Sequence, residues 1–382
     1  MFDESLLDDA DLLERRDSQR LLWNLATAGA QVRRAVELAD DFGVESLRDV
    51  GVPRALLVAT DTLPSTALRL VTRLSCETTP ALAWHGVELP RWAGPTDALL
   101  IGALDGRHPR LAELAEQGAR RGLAMAVIAP ADSPVAAAAG RAPLHTLAED
   151  LNPRAARWAI LTPLLQALDA LALHPLEAGL LVRVADALDD MAARCRPAGD
   201  VFTNPAKALA AEFAEARPVI VGAGSLASVA ARATADALQL SAGSAAVAVS
   251  LPDGVGRAGA LLRGAGITPM EEDFFRDRVE DHAGQRARLL IIGDDSDADD
   301  PALGARSAAR IQLDEVAAQR AAAALRRLAD ELGVRASGVD SGDGPPLARF
   351  AAAAAFGDFT AAYLGFGLGL DPGAPRPAEL AH

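Results

Sequence analysis

Cysteine is scarce in this chain, whose 382 residues include only Cys76 and Cys195. The two lie far apart, and neither belongs to a CxxC pair or to a Cys/His spacing of the kind that holds zinc. The sequence therefore excludes a disulfide framework and a redox dithiol. We expect neither a bound metal ion nor a cofactor.

Long apolar runs are absent as well. No stretch reaches the roughly twenty charge-free residues that a membrane-spanning helix requires. The first residues, MFDESLLDDADLLERRD, are acidic and amphipathic, whereas a secretory signal peptide needs a basic start and an apolar run. We therefore expect a cytoplasmic protein with no membrane partner.

Positive charge is in deficit. The chain has 37 Lys and Arg residues against 52 Asp and Glu residues, which gives a formal net charge of −15. A surface of that average sign repels a phosphate backbone, so nucleic acid is excluded as a partner.

Short apolar runs alternate with helical patterns along most of the chain. The strand candidates are 54–60, 97–103 and 123–129 in the first half and 218–222, 245–250 and 288–293 in the second. Strands that alternate with helices indicate parallel sheets covered on both faces. The sequence therefore predicts an α/β fold with two doubly wound parallel-sheet domains.

The same patterns predict four segments. They are an N-terminal helical segment over 1–50, a first sheet domain with a bridging helix over 51–190, a second sheet domain over 191–350, and a C-terminal helix with its tail over 351–382. The bridging helix is predicted to run from Pro153 to about Ala187.

A glycine-rich turn stands near the start of the second sheet domain. The apolar run 218–222 leads to Gly222, Gly224 and Ser225, at the predicted start of a helix. Backbone amides at such a turn, together with the helix dipole, favour a phosphate group. A dinucleotide site is disfavoured, because Ala227 replaces the third glycine of GxGxxG and no acidic residue ends the following strand. The alternative is a tight turn with a serine cap and no ligand.

Four stretches occur in an order that indicates a family. They are PRAA (153–156), NPAK (204–207) with RPVIVGAGS (217–225), GDGPPLARF (342–350) and FGDFTAAYLGFGLGLDP (356–372). Together they resemble the bifunctional phosphoglucose/phosphomannose isomerase family, which is built on paired sugar isomerase (SIS) domains. The resemblance implies an aldose–ketose isomerase that acts on hexose 6-phosphates without a metal. It also implies a phosphorylated sugar as ligand and a homodimer.

The catalytic residues implied by that resemblance are only partly present. Moving a proton between C1 and C2 through an enediolate needs a carboxylate base, a ring-opening histidine and a cation for the oxyanion. The resemblance places Gln239 at the position of the glutamate base and Gly256 at that of the histidine. Arg154 matches the family's arginine, whose role would be to stabilise the enediolate, although a solvated residue at a helix start is the alternative. Asp253 is the nearby carboxylate that could replace the base.

Two loops of the first domain carry candidate ligand-binding groups. The loop after the first predicted strand holds Thr60, Asp61, Thr62 and Ser65. The loop after the second holds Arg107, beside His108 and Arg110, where the family has phosphate-binding serines. The alternatives are an ordinary helix-capping turn for the first loop and a solvent-facing charged turn for the second.

Two functions stay open at this point. The first is a hexose-6-phosphate aldose–ketose isomerase with a degenerate active site, whose activity is weak or absent because loss of a general base alone costs about a hundredfold to ten-thousandfold in rate. The second is a non-catalytic SIS protein that binds a sugar phosphate or scaffolds an enzyme of sugar-phosphate metabolism.

Overall fold

The computed structural model describes residues 2–61, 66–75, 79–148, 151–264, 286–293 and 305–375, with the backbone alone for 305–312. The chain forms two compact units, each built around one parallel sheet. The first sheet unit comprises Ser18–Ala193 and Gly373–His382, and the second sheet unit comprises Met1–Asp17 and Arg194–Pro372. The predicted α/β class with two parallel sheets is confirmed.

Helices precede the first sheet. They are a 3-10 helix at Ser5–Asp8, α1 (Ala10–Arg16), α2 (Leu21–Ala26), α3 (Ala28–Glu37), α4 (Ala39–Phe42) and a 3-10 helix at Val44–Val50. The amphipathic spacing of leucine and valine explains them, since one face of each of the longer helices is buried.

The first sheet has five parallel strands in the order β2-β1-β3-β4-β5. The strands are β1 (Leu56–Thr60), β2 (Ala81–Ala83), β3 (Ala98–Gly102), β4 (Ala124–Ala129) and β5 (Leu144–Thr146). The helices of this unit are α5 (Thr66–Leu74), α6 (Pro109–Arg121), α7 (Pro134–Ala138), α8 (Arg157–Ala170) and α9 (Leu180–Arg194). The three inner strands are buried apolar runs, as expected of a parallel sheet that helices cover.

The second sheet has four parallel strands in the order β7-β6-β8-β9. The strands are β6 (Ala216–Ala223), β7 (Val247–Leu251), β8 (Arg286–Gly293) and β9 (Ala336–Gly338). The helices are α10 (Pro205–Ala214), α11 (Ser225–Ala242), α12 (Val255–Gly264), α13 (Ala305–Glu331) and α14 (Pro346–Gly367). The core beneath this sheet is formed by valine, leucine and isoleucine side chains of the strands and by alanines of the helices.

The predicted single bridging helix is wrong. Residues 153–156 form a turn, α8 begins only at Arg157, and α9 is a separate helix that begins at Leu180. Ala172, in the connection, has a left-handed backbone with φ of 54°, which is incompatible with a continuous right-handed helix. The apolar periodicity continues on both sides of this break, so the pattern alone did not reveal it.

The C-terminal helix α14 lies inside the second sheet unit. Almost every one of its residues is buried, and it packs against α11 and α10. A Cβ at Gly357 would lie 2.2 Å from Oγ1 of Thr234, so a glycine is required where α14 crosses α11. This buried position explains why α14 is largely apolar on all sides, because the helix presents no face to water.

Lys207 is the one lysine of the chain, and it is fully buried. Its Nζ donates to the carbonyl oxygens of Pro197 at 2.7 Å, of Gly199 at 2.6 Å and of Leu7. The ammonium also lies 5.4 Å from the centre of the Tyr363 ring. Burial lowers the pKa of Lys207, and the carbonyl oxygens compensate the buried charge. The bond to Leu7 attaches the first 3-10 helix to the rest of the second sheet unit.

We predict that Lys207 resists acylation by an amine-reactive ester in the native protein. Reaction requires the second sheet unit to open, so the rate should be at least about a hundredfold below that of the urea-unfolded chain. Peptide mass spectrometry measures the labelling. Arg34→Lys, at an exposed position, provides a matched reactive control. Equal labelling of the two lysines in the native variant would contradict this assignment.

Candidate functional site

The order of the strands defines one crevice in each sheet unit. In the first sheet, β2 and β3 lie on opposite sides of β1, so the connections that follow β1 and β3 diverge at the carboxyl edge. The second sheet repeats this arrangement, with β7 and β8 on opposite sides of β6. Ligands of open parallel sheets bind at such reversal points. We call the space beyond the carboxyl ends of β1 and β3 the first crevice, and that beyond β6 and β8 the second crevice.

A tight glycine turn borders the second crevice. A Cβ at Gly222 would lie 2.4 Å from the Cα of Ser228, so β6 and α11 meet too closely for any other residue. Gly224 has φ of 121°, which L side chains rarely adopt. The Ser228 hydroxyl donates to the carbonyl of Gly224 at 2.7 Å and lies 3.2 Å from that of Gly222. These contacts fix the turn predicted from the sequence.

The start of α11 has the character of an anion site. Gly224 occupies the N-cap, no side chain there bonds to the first turn, and Ser225 is the first helical residue. Because the first amides of a helix have no partner within the helix, they and the dipole favour a negative group at this end. The sequence alone also allowed a tight turn capped by a serine. The N-cap is instead Gly224.

Asp253 lies on the same edge of the second sheet. It is exposed in the short turn between β7 and α12. Gly256, where the resemblance expects a histidine, follows in the first turn of α12, and a Cβ there would contact nothing within 4 Å. The residues after β8, 294–304, lie outside the described residues.

Gln239 lies at the other edge of the second sheet. Its side-chain amide donates to the carbonyl of Ala246 at 2.8 Å, just before β7 begins. Fourteen positions separate Ser225 from Gln239 on α11, which is about 20 Å along the helix axis at 1.5 Å per residue. The position that the resemblance assigned to the base is therefore remote from the second crevice, whichever residue occupies it.

Two aspartates border the first crevice. Asp61 follows β1, and its Oδ1 accepts a hydrogen bond of 2.9 Å from the backbone N–H of Leu104, in the loop after β3. Asp105, in that same loop, accepts a 2.9 Å bond from the N–H of Arg107. The guanidinium of Arg110 donates to the carbonyl of Thr60 at 2.8 Å. The crevice thus combines two carboxyl groups with one partly buried cation.

The Asp61 carboxyl titrates close to neutral pH. Burial, with a smaller contribution from the neighbouring Asp105, raises its pKa to about 6 against the lowering effect of the Leu104 amide. Burial lowers the pKa of Arg110, and the Asp61 charge partly offsets that effect. A carboxyl group of this kind can accept or release a proton at physiological pH.

The candidate residues fall into separate groups. Thr60, Asp61 and Arg107 lie around the first crevice, although the Arg107 side chain is exposed. Arg154 lies in the turn before α8, where its guanidinium donates to the carbonyl of Ala374 at 3.1 Å. Thr62 and Ser65 lie outside the described residues.

Sequence reasoning missed Asp105. The signal was available, since an aspartate follows each of the first two predicted strands, in VATD (58–61) and GALD (102–105). Carboxyl ends of neighbouring parallel strands meet at one edge, so these two residues were bound to be close. His108 serves as the N-cap of α6, its Nδ1 accepting from the N–H of Arg110 at 3.3 Å.

The part of the chain that the structure describes holds neither a metal-ligating cluster nor a membrane-spanning helix. Nowhere in it do three or more His, Cys, Asp or Glu side chains form a group that could hold a metal ion. None of its helices is both long and apolar enough to span a membrane.

A known protein family matches most of the second sheet unit. Residues 202–378 match the family model of the bacterial phospho-glucose isomerase C-terminal SIS domain. No curated protein sequence matches the chain.

Solved structures share the whole fold at low sequence identity. A hypothetical protein of Thermus thermophilus is 15% identical, with a TM-score of 0.62 over 99% of this chain and 94% of that one. The C-terminal domain of glucosamine-fructose-6-phosphate aminotransferase from Francisella tularensis is 10% identical, with a TM-score of 0.61 over 93% and 98%. Tagatose-6-phosphate ketose/aldose isomerase from Escherichia coli is 14% identical, with a TM-score of 0.56 over 95% and 95%.

We predict that Asp61→Asn stabilises the first sheet unit at neutral pH but not in acid. A carboxyl whose pKa rises from 3.8 to about 6 on folding opposes folding increasingly as pH rises through that interval. The advantage of the variant should be small near pH 4 and reach about 1 to 3 kcal/mol above pH 7. Urea unfolding followed by tryptophan fluorescence measures it, because the four tryptophans, Trp23, Trp84, Trp92 and Trp158, all belong to this unit. A stability difference that does not change with pH would contradict the assignment.

Proposed function

Because the chain is a SIS-domain member of the sugar isomerase family, we propose that it binds a phosphorylated sugar, a hexose 6-phosphate, in the second crevice and does not isomerise it. The observation that carries this proposal is the Gly222–Ser225 turn. It delivers the start of the 18-residue helix α11, with a glycine at the N-cap, to the reversal point of the second sheet.

The phosphate end of such a ligand fits the turn on electrostatic grounds. A phosphate oxygen accepts hydrogen bonds from backbone amides, and the dipole of a long helix adds attraction. Gly224 lets the ligand approach the backbone without a side chain in between. The overall charge of −15 does not prevent this, since short-range hydrogen bonds act where the long-range field of dispersed surface charges is screened.

Weak or absent catalysis is supported by the positions of the expected base and acid. Gln239 cannot accept a proton at neutral pH, and it lies at the opposite edge of the sheet, bonded to Ala246. Gly256 offers no imidazole. With the base and the ring-opening acid both missing, the loss in rate is expected to exceed the hundredfold to ten-thousandfold range typical of one such group.

A second candidate is a slow hexose-6-phosphate aldose–ketose isomerase, and the position of Asp253 favours it. This carboxylate is exposed at the carboxyl edge of the sheet, one strand away from the Gly224 turn. In that reaction Asp253 would carry a proton between C2 and C1.

The setting of the protein is part of the proposal. We infer a cytoplasmic homodimer with a phosphorylated sugar as its small-molecule partner. The family assignment supports this setting, and size-exclusion chromatography with light scattering tests the dimer.

The binding proposal predicts that Ser225→Asp abolishes stabilisation by sugar phosphates. At a hundred times its dissociation constant, glucose or fructose 6-phosphate should add about 2.7 kcal/mol to the stability of the wild type. An aspartate at the first helical position is compatible with α11, because negative charge there suits the dipole, but it repels phosphate. Thermal unfolding measures both properties.

Two controls accompany this experiment. Ser46→Asp adds the same charge at an exposed site of the first sheet unit and should leave ligand stabilisation intact. Unphosphorylated glucose should stabilise neither variant. A wild type that no sugar phosphate stabilises would reject the binding proposal.

The catalytic question has its own prediction. Fructose 6-phosphate incubated with the protein in D2O should show no deuterium exchange at C1 by proton NMR, since the base is missing. Exchange that falls by about a hundredfold or more in Asp253→Asn, but persists in the exposed control Asp343→Asn, would instead establish the slow isomerase.

A further inference from the structure

The first crevice repeats the strand arrangement of the second. Both lie where the strand order reverses, beside the first strand of a unit. Among the described residues, a glycine turn borders the second crevice, with Asp253 at the same edge of the sheet, whereas Asp61 and Asp105 border the first. Leu104 donates its backbone N–H to Asp61, and Arg107 donates its own to Asp105. Amides that an exogenous anion would use are thus bonded to anions of the chain itself.

We propose that Asp61 is a specificity-determining residue that closes the first crevice to anions. This inference rests on the proposed function for the identity of the ligand, but its mechanism concerns the first sheet unit alone. The Asp61 carboxylate occupies the Leu104 amide and repels any second negative group that approaches.

Asp61, rather than Asp105, is the effective residue. Asp61 connects two neighbouring strands, since it follows β1 and bonds to the loop after β3. Its own N–H donates to the carbonyl of Gly102 at 3.2 Å, which fixes its backbone beside that loop. Asp105 interacts with Asp61, but it is exposed and the backbone N–H it accepts from lies only two residues along its own loop, so solvent screens its charge more than that of Asp61.

The loop after β3 is held independently of Asp61. Gly106 has φ of 65°, and its carbonyl accepts a 3.1 Å bond from the N–H of Val135. A Cβ at Gly106 would lie 2.3 Å from Ser133, so the loop is packed closely against the turn that precedes α7. Removal of the Asp61 carboxylate should therefore leave the Leu104 amide in place and available.

A cation is also in place for an incoming anion. The guanidinium of Arg110 is held at the crevice by the carbonyl oxygens of Thr60 and of Trp84, at 2.8 and 3.1 Å. Its charge interacts with that of Asp61. Once Asp61 is neutral, this charge becomes available to a ligand, as in other charge-assisted anion contacts.

The test is a gain of binding in Asp61→Ser. Sulfate is the probe, because its charge does not change near neutral pH, and the readout is the Leu104 amide in nitrogen-15 correlation spectra. Sulfate should shift that amide in Asp61→Ser with at least about tenfold higher affinity than in the wild type, a change worth about 1.4 kcal/mol. Asp132→Ser removes the same charge from the exposed turn after β4 and should bind sulfate like the wild type.

A second variant separates occupancy from charge. Asp61→Asn keeps an oxygen that can accept from Leu104 but loses the charge, so its gain in sulfate affinity should be smaller than that of Asp61→Ser. It also maintains the test if Asp61→Ser does not fold. Equal sulfate binding by Asp61→Ser and Asp132→Ser would overturn the proposal, as would wild-type sulfate binding at Leu104, or no gain in Asp61→Asn when it is the one folded variant.

The outcome is independent of the second crevice. The measurements are repeated in the Ser225→Asp background, where phosphate binding at α11 is expected to be lost. A sulfate response at Leu104 that persists there supports the role of Asp61 even if no sugar phosphate binds to the wild type. Failure of the proposed function and failure of this inference are therefore separate results.

Discussion

The position of the first strand in each sheet is the constraint on which the candidate sites depend. β1 and β6 each have a neighbouring strand on both sides. The connections that follow β1 and β3 therefore diverge, as do those that follow β6 and β8, and a space opens at the carboxyl edge of each sheet. The residues that line this space are set by the loops and not by the sheet. The same frame can therefore carry an anion-attracting turn in one unit and a carboxyl pair in the other.

The two crevices differ in how backbone amides are satisfied. At the second crevice, Gly224 leaves the start of α11 without a side-chain cap. At the first, Asp61 accepts from Leu104 across two strands. A buried amide must be bonded to something, so the choice lies between a ligand and an acceptor within the chain. An internal carboxylate satisfies the amide permanently but has a cost in charge burial, which is the reason for its raised pKa.

The sequence predicted the sheet units well because their inner strands are buried on both faces. β1, β3 and β4 are nearly continuous apolar runs, and β6 and β8 contain such a run after their first residues, a pattern distinct from that of amphipathic helices. The edge strands β2 and β5 have three residues each, too few to produce a pattern, and were not predicted. The break between α8 and α9 was missed for the opposite reason, since its flanks are apolar at helical spacing. Hydrogen bonds between loops were the hardest feature to predict from the sequence. Asp61 and Leu104 are 43 residues apart, and only the order of the strands brings them together.

When sequences with this fold are compared, residues that the fold requires should be distinguished from residues that a reaction requires. Gly222 is needed for packing alone, because any side chain would collide with the backbone of Ser228. Its presence therefore says little about catalysis. Gly256 is the opposite case, since a side chain there would meet open space. The absence of a histidine at that position is not imposed by packing, and a chain can lose such a group with no penalty in stability. The fold can thus tolerate changes at such open positions, provided that the residues holding strand to helix are kept.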